Sequence, residues 1–280
     1  MAANRIEVLR PDGLAGVLLY RGTEVTHAYP RHWHEELHLC AYTAGEGRLR
    51  IRGTTHPVGA GDVILTPAGE VHENWVERGT SCSFRSLYLD VRRLEDLLPG
   101  AEVRRLCELR RSVPLHVRAL HPGLLALHAC AAHGGTVLEA QALLVELCRR
   151  LLARGGTEPL RQRTRGERRA VRQVQALLQD CLSRPVSLAQ LSQATGLSSA
   201  YLHRIFSQET GMPPHAFQLQ LRINQAKRLL QKGLPLVEIA AATGFADQAH
   251  LTRHFHRRVG LPPGRFRRGQ QSQNVQEPSR

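Results

Sequence analysis

Thr243-Gly244-Phe245-Ala246-Asp247-Gln248-Ala249-His250-Leu251-Thr252-Arg253-His254-Phe255, followed by Gly260-Leu261-Pro262-Pro263, is the stretch of this 280-residue chain that decides its fold. Gly244 supplies a turn residue and Asp247 a cap, after which Leu251 and Phe255 recur at i and i+4 on one helical face. Gly260 and the double proline then end the helix. Working outward, Ile239 lies on a short preceding helix, so the unit reads as helix, turn, helix. The same unit occurs earlier in the chain: Leu191, Thr195-Gly196, Leu202, Phe206, Gly211, Pro213-Pro214 and Phe217 repeat as Ile239, Thr243-Gly244, Leu251, Phe255, Gly260, Pro262-Pro263 and Phe266, offset by 48 and then 49 residues. Two such units predict a DNA-binding domain.

In the first copy Ser187 and Gln190 have the spacing of a capping box, and Gly196 suits a left-handed turn. Ser198 or Ser199 caps the following helix. Leu202 and Phe206 point inward there, which puts Ala200, His203 and Arg204 on the outer face beside Ser199. Residues 215–232 restart a helical period with Leu219, Ile223, Ala226 and Leu230. At 1.5 Å per residue this connecting helix is about 25 Å long, enough to hold two reading heads apart. In the second copy Gln248, His250, Thr252 and Arg253 fall on or beside the exposed face. Arginine reads guanine and glutamine pairs with adenine, so Arg204, Arg253 and Gln248 are the candidate base readers. Arg257, Arg258, Arg265, Arg267 and Arg268 are assigned to phosphates.

Charge agrees with this partner. Residues 1–155 carry 19 basic and 17 acidic side chains, and residues 156–280 carry 19 and 7, so nearly all of the net +14 sits in the repeat half. A basic field confined to one domain is the footprint of nucleic-acid binding. No run of about 18 apolar residues and no signal peptide is present, which predicts a cytoplasmic chain with no membrane partner. The six cysteines are scattered without any C-x-x-C, so reduced thiols are expected rather than a disulfide framework or a zinc knuckle.

Residues 13–90 read as short alternating strands broken by Gly and Pro, the pattern of a small barrel or sandwich. Residues 94–153 change to a helical period, clearest at Val137, Ala140, Leu144, Leu147 and Leu151. The fold class is therefore α+β, a β-barrel with helices followed by an all-α domain with two helix-turn-helix subdomains. The division is 1–153 for effector binding and dimerisation, 154–169 for an arginine-rich linker, 170–268 for DNA binding and 269–280 for a disordered tail.

The run Gly244-Phe245-x-Asp247-x-x-His250-Leu251-x-Arg253-x-Phe255 with Gly260-x-Pro262 resembles the signature of the AraC/XylS family of bacterial transcriptional regulators. The resemblance covers about Val171 to Arg268. It implies two helix-turn-helix subdomains joined by a long helix, with contacts at Ala200, His203 and Arg204 in the first and at Gln248, Ala249, His250, Thr252 and Arg253 in the second. It further implies double-stranded promoter DNA and RNA polymerase as partners, and a homodimer in which Val137 to Leu151 pairs with a second copy.

His32-x-His34 with His38, then Gly61-x5-Pro67-x-Gly69-x2-His72, resembles the two motifs of the cupin barrel, which such regulators carry as a sensing domain. His38 stands where metal-binding cupins usually have a glutamate, and Val76 where they usually have an asparagine. Residues 32, 34 and 38 share parity, so on one regular strand all three face the interior, with His72 arriving from a paired strand. His32, His34, His38 and His72 are thus the candidate effector pocket for a small molecule, ranked above the alternative in which the same four bind a divalent metal. No cofactor is required by this reading. The leading function is an effector-controlled, sequence-specific transcription regulator and not an enzyme. The competing readings are a cupin metalloenzyme, a dioxygenase or isomerase, fused to a DNA-binding domain, and a metal-sensing regulator.

Overall fold

A computed structural model describes residues 5–109, 117–153 and 165–268. They form two compact units, one of residues 5–28, 34–109 and 117–153, the other of residues 29–33 with the helices from Arg165 onward. The expected tail (269–280) and most of the expected linker (154–164) lie outside the described residues.

The first unit is built on strands β1 (Arg5–Leu9), β2 (Val17–Val25), β4 (Leu37–Ile51), β5 (Thr54–Gly59), β6 (Val63–Thr66), β7 (His72–Trp75) and β8 (Cys82–Leu89), with β3 (Tyr29–His32) between β2 and β4 in the chain. Their pairings are antiparallel and run β1-β2-β8-β4-β7, with β5 and β6 also on β4, giving a curled sheet or half-barrel. The 15-residue β4 makes the curl: its first half pairs with β8 and β6, and its second half with β5 and β7. The register with β8 shifts between Tyr42 and Ala44, and Gly45 adopts φ 71°. A Cβ at Gly45 would sit 2.0 Å from the Ser81 carbonyl oxygen, so only glycine lets the strand turn there.

Period-two alternation gives the sheet two different faces. Leu19, Leu37, Leu39, Leu87 and Leu89 pack into one apolar core with Leu124, Leu127, Leu144, Leu147 and Leu151. The helical members come from α2 (His121–Ala132) and α3 (Val137–Leu152), which follow α1 (Gly100–Cys107). Each fully buried leucine contributes about 1.5–3 kcal/mol. Thr136 caps α3 by accepting from the Glu139 amide. The opposite face of the strands carries Tyr20, His38, Tyr42 and Tyr88, all of them buried or half-buried.

The second unit is helical: α4 (Arg165–Asp180), α5 (Leu188–Thr195), α6 (Ser199–Thr210), α7 (Pro214–Gln231), α8 (Leu236–Ala242), α9 (Gln248–Val259) and α10 (Pro263–Arg268). Residues 165–169, expected in the linker, open α4 instead, because Ala170, Val171, Val174 and Leu178 give the helix a buried face that the preceding residues extend. The Ser187–Gln190 capping box is formed, and Gly196 (φ 68°), Gly211 (79°) and Gly260 (84°) end α5, α6 and α9 in the left-handed conformation.

The connecting helix α7 differs from the one-faced pattern expected of it. Leu219 is only half-buried, whereas Gln218, Gln220, Asn224 and Lys227 are buried along with Phe217, Leu221 and Ile223. The physical reason is that α4, α6, α8 and α9 all pack on α7, so it is enclosed on several sides. Its buried amides are bonded in part: Gln220 donates to Asn224 Oδ1 at 3.0 Å and Gln218 donates to the carbonyls of Cys181 and Arg184, while Gln220 Oε1 and Asn224 Nδ2 are enclosed without a partner. All six cysteines are free thiols, of which Cys40, Cys82, Cys130 and Cys148 are buried.

Candidate functional site

In the second helix-turn-helix, Asp247 caps α9 by accepting from the His250 amide at 2.6 Å. Leu251 and Phe255 are fully buried, which fixes the rotation of α9 about its axis. Gln248, Ala249 and Arg253 are consequently exposed and Thr252 half-exposed, and these four line an open hollow of about 500 Å³ with His256 and Pro262. His256 did not figure among the sequence candidates, although it stands one turn beyond Thr252 on the same face. His250 is half-buried instead of outward: its Nδ1 accepts from the Ala246 amide at 3.3 Å and its ring packs edge-on against Phe245. It shapes the turn that presents α9.

The five phosphate candidates are placed differently from one another. Arg257, Arg265 and Arg268 are exposed. Arg258 is half-buried with its Nε enclosed and unbonded, and burial followed by the neighbouring Arg257 lowers its pKa to about 10. Its Nη1 lies 3.5 Å from Nδ1 of His254, whose own pKa burial and the adjacent His250 push down to about 4. Arg267 donates to the Leu234 carbonyl, tying α10 to the turn before α8. Helical phase separates Arg258, at i+7 from Leu251 and i+3 from Phe255 on the buried face of α9, from the outward Arg257.

In the first helix-turn-helix the cap is Ser198, which accepts from the Tyr201 amide, so Ser199 is the first residue of α6 and is half-buried. Ala200, His203 and Arg204 are exposed. The Arg204 guanidinium lies 4.9 Å from the centre of the Tyr201 ring, whose hydroxyl donates to Glu167 of α4 at 3.0 Å. Tyr201 and Glu167 thus orient Arg204, a relationship invisible in the repeat because it is made with a helix outside it.

The sheet face opposite the helices holds the second candidate site. Its histidines are a set of three, since His34, His38 and His72 place one ring nitrogen each within 4.8 Å of one another and all are buried. His32 is not a member of this set. One regular strand would bring His32 to the same face, but β3 ends at His32 and the chain bends before β4 starts at Leu37, so His34 lies in the connection and His32 belongs to the second compact unit. His32 Nδ1 is bonded to the Pro30 carbonyl at 2.8 Å.

The loop glycines and prolines position the three. Gly69 (φ 74°) donates from its amide to the His34 carbonyl at 2.8 Å, and Glu70 donates to the Pro67 carbonyl in a turn that delivers His72 to the start of β7. His34 Nδ1 is bonded to the Glu36 carbonyl at 2.7 Å and His72 Nδ1 to the Glu70 carbonyl at 3.0 Å. A carbonyl only accepts, so each Nδ1 carries the proton and Nε2 bears the lone pair. His38 lies across from Tyr88 in the ladder, its ring stacked 4.3 Å from the tyrosine ring. Burial holds His72 as the neutral imidazole, with a pKa of about 4.

A curled sheet with a buried polar face, followed by paired helix-turn-helix units that expose a basic helix face, is the architecture of a DNA-binding regulator with a ligand-binding domain. Comparisons with known proteins agree. Residues 14–148 match the AraC-like ligand binding domain and residues 191–269 a helix-turn-helix domain. The chain is 25% identical over 256 residues to the uncharacterized HTH-type transcriptional regulator YbfI of Bacillus subtilis, covering 89% of this chain and 90% of that one. It is 27% identical over 258 residues to the HTH-type transcriptional regulator MtrA of Neisseria gonorrhoeae, covering 81% and 84%. A crystal structure of ToxT from Vibrio cholerae shares the fold, with a TM-score of 0.51 at 11% identity over 95% of this chain and 97% of that one. An unsaturated fatty acid-bound form of wild-type ToxT gives a TM-score of 0.52 at 13% identity, again over 95% and 97%. The chain belongs to the AraC/XylS family of transcriptional regulators, with an N-terminal ligand-binding domain and a C-terminal DNA-binding domain. The cupin-metalloenzyme alternative is set aside, because the relatives that match over most of the chain are regulators. Among the described residues no helix is long and apolar enough to cross a membrane.

Proposed function

We propose that this regulator reads promoter DNA with the outer faces of α6 and α9, and that occupancy of the face holding His34, His38, His72 and Tyr88 alters that binding. The observation that carries the reading is the grouping of Gln248, Ala249, Thr252 and Arg253 around one open hollow on a helix whose rotation is fixed by Leu251 and Phe255. Arg253 and Gln248 supply the hydrogen-bonding groups for base edges, and the exposed Arg257, Arg265 and Arg268 supply charge for phosphates. Ala200, His203 and Arg204 serve the same purpose on α6. Successive major grooves on one face of a duplex are about 34 Å apart, so two heads on one 18-residue connector suit a site spanning adjacent turns.

The protein acts in the cytoplasm as a homodimer, contacts RNA polymerase at the promoter, requires no resident cofactor and catalyses no reaction. The test is selection of bound duplexes from random DNA with the full chain. Enrichment of one motif with two parts a helical turn apart supports the reading, and uniform retention of all sequences overturns it. Sedimentation of the full chain as a monomer at tens of micromolar would exclude the homodimer.

A further inference from the structure

We propose that α4 belongs to the reading apparatus: Glu167 and Tyr201 are positioning residues that set the base preference of Arg204. The first head then takes part of its specificity from a helix outside the helix-turn-helix repeat. This rests on the reading of α6 as a DNA-contacting helix and names what tunes it. Arg204 is exposed, and among the described residues none of its N–H groups is bonded to a protein acceptor. Its guanidinium carbon lies over the Tyr201 ring at 4.9 Å, within the range of a cation–π contact. The ring engages the flat face of the guanidinium, which leaves the N–H groups at its edge for a base. A long arginine side chain loses rotamer freedom on binding, so one already held on a ring gives up less.

The ring is in turn held by α4. Its hydroxyl donates to Glu167 Oε1 at 3.0 Å, and this bond together with the carboxylate charge raises the Tyr201 pKa, so the hydroxyl remains the donor. Ala170, Val171, Val174 and Leu178 bury one face of α4, and Glu167 stands one turn before Ala170 and Val171 on that side. Gln173 also donates to the Ala194 carbonyl at 2.8 Å, which fastens α4 to the end of α5. The second head lacks this arrangement. In the repeat Arg253 matches Arg204 and His250 matches Tyr201, but the His250 ring packs against Phe245 and its Nδ1 accepts from the Ala246 amide. Among the described residues no ring lies beneath Arg253. The two heads present equivalent arginines on different supports, so their base preferences are tuned separately.

The experiment uses the full chain. Duplex selection gives the motif, and the step whose preference disappears in Arg204→Ala is the one Arg204 reads. Competition anisotropy then measures the ratio of affinities for the preferred and the wrong base at that step. Tyr201→Leu and Glu167→Ala should each lower this ratio by about two- to fivefold, the size of an exposed cation–π contact, and leave the other steps and the salt dependence unchanged. Glu167→Gln, whose amide oxygen still accepts from the hydroxyl, should retain most of the ratio. In the Arg204→Ala background Glu167→Ala should alter no base preference, whereas a merely structural role would persist there and weaken every step alike. Should Tyr201→Leu melt well below the parent, Tyr201→Phe, which keeps the ring and loses only the bond to Glu167, replaces it. An unchanged ratio in these variants, an equal loss at every step, or a motif that Arg204→Ala leaves intact overturns the proposal while the promoter reading stands. Uniform retention of all duplexes by the parent chain overturns the promoter reading, and this proposal with it.

Discussion

Arg222 on α7 donates from Nη1 to the carbonyl of Gly244 at 2.9 Å, and that bond joins the connecting helix to the turn of the second helix-turn-helix. The same guanidinium donates from Nε to the Leu182 carbonyl at 2.8 Å and from Nη2 to the Arg184 carbonyl at 3.1 Å. One planar cation thus gathers carbonyls from the end of the α4 region and from the turn before α9. These carbonyls have no lysine-compatible arrangement, since the ammonium is a single point where the guanidinium is a fork.

Arg222→Ala is expected to destabilise the helical unit by about 1.5–3 kcal/mol for each strong bond lost, partly relieved by water at this half-buried site. Arg222→Lys should recover less than half of the loss. Urea denaturation of both variants checks this, and equal stability of the lysine variant and the parent would show that the fork geometry is immaterial.

Gly244→Ala should be worse than an ordinary glycine replacement. Its φ is 72°, and an added Cβ would lie 2.7 Å from the Ser183 carbonyl oxygen and 2.9 Å from that of Leu182. Backbone cannot yield as a flexible side-chain tip does, so strain adds to the left-handed conformation. The expected outcome is a loss of more than about 2 kcal/mol, whereas Gly264→Ala, where nothing lies within 4 Å of the new methyl, should be nearly neutral. Thermal melts of the pair give the comparison.

The capping of α5 by Ser187 and Gln190 and of α9 by Asp247 was legible in the sequence because a cap is made by residues three apart. The buried anchors Leu202, Phe206, Leu251 and Phe255 were legible for the same reason, as helical phase is local. What escaped involves partners distant in sequence or a break in regularity. Arg222 and Gln218 look like solvated residues until the 181–184 segment is laid across them. His32 looked like a member of the histidine set until the chain bent between β3 and β4. Among the arginines, the half-burial of Arg258 was legible, since it stands three residues after Phe255 and seven after Leu251, whereas the bond of Arg267 to the Leu234 carbonyl, 33 residues away, was not.

Arg253 is exposed at the hollow, and if it reads base edges as proposed, Arg253→Ala is expected to weaken binding to the selected site by about 1–3 kcal/mol and to change non-specific affinity little. Arg257→Ala should weaken all duplexes alike and reduce the slope of log K against log salt by about 1. Arg267→Ala should behave differently from both, since its bond to the Leu234 carbonyl supports the fold and its loss appears first in melting temperature. Fluorescence anisotropy at several salt concentrations, with melts of each variant, separates the three. Equal losses on specific and random duplex for Arg253→Ala would remove it as a base reader.

His128 on α2 provides a pH-dependent contribution to the stability of the first unit. Its Nε2 donates to the Ser86 carbonyl at 3.1 Å, and burial lowers its pKa from 6.5 to about 4. The unfolded chain therefore binds a proton between about pH 6.5 and pH 4 that the folded chain refuses. The contribution is fully present above the unfolded value, and it is lost as pH falls toward 4, by an amount on the order of 3 kcal/mol at the lower end. His128→Gln keeps a donor for Ser86 and cannot titrate, so the difference in unfolding free energy between parent and variant should shift in the variant's favour as pH drops from about 7 to about 4.5. Denaturation curves across that range check the sign, and a difference that stays constant with pH would show that His128 is not protonated on unfolding.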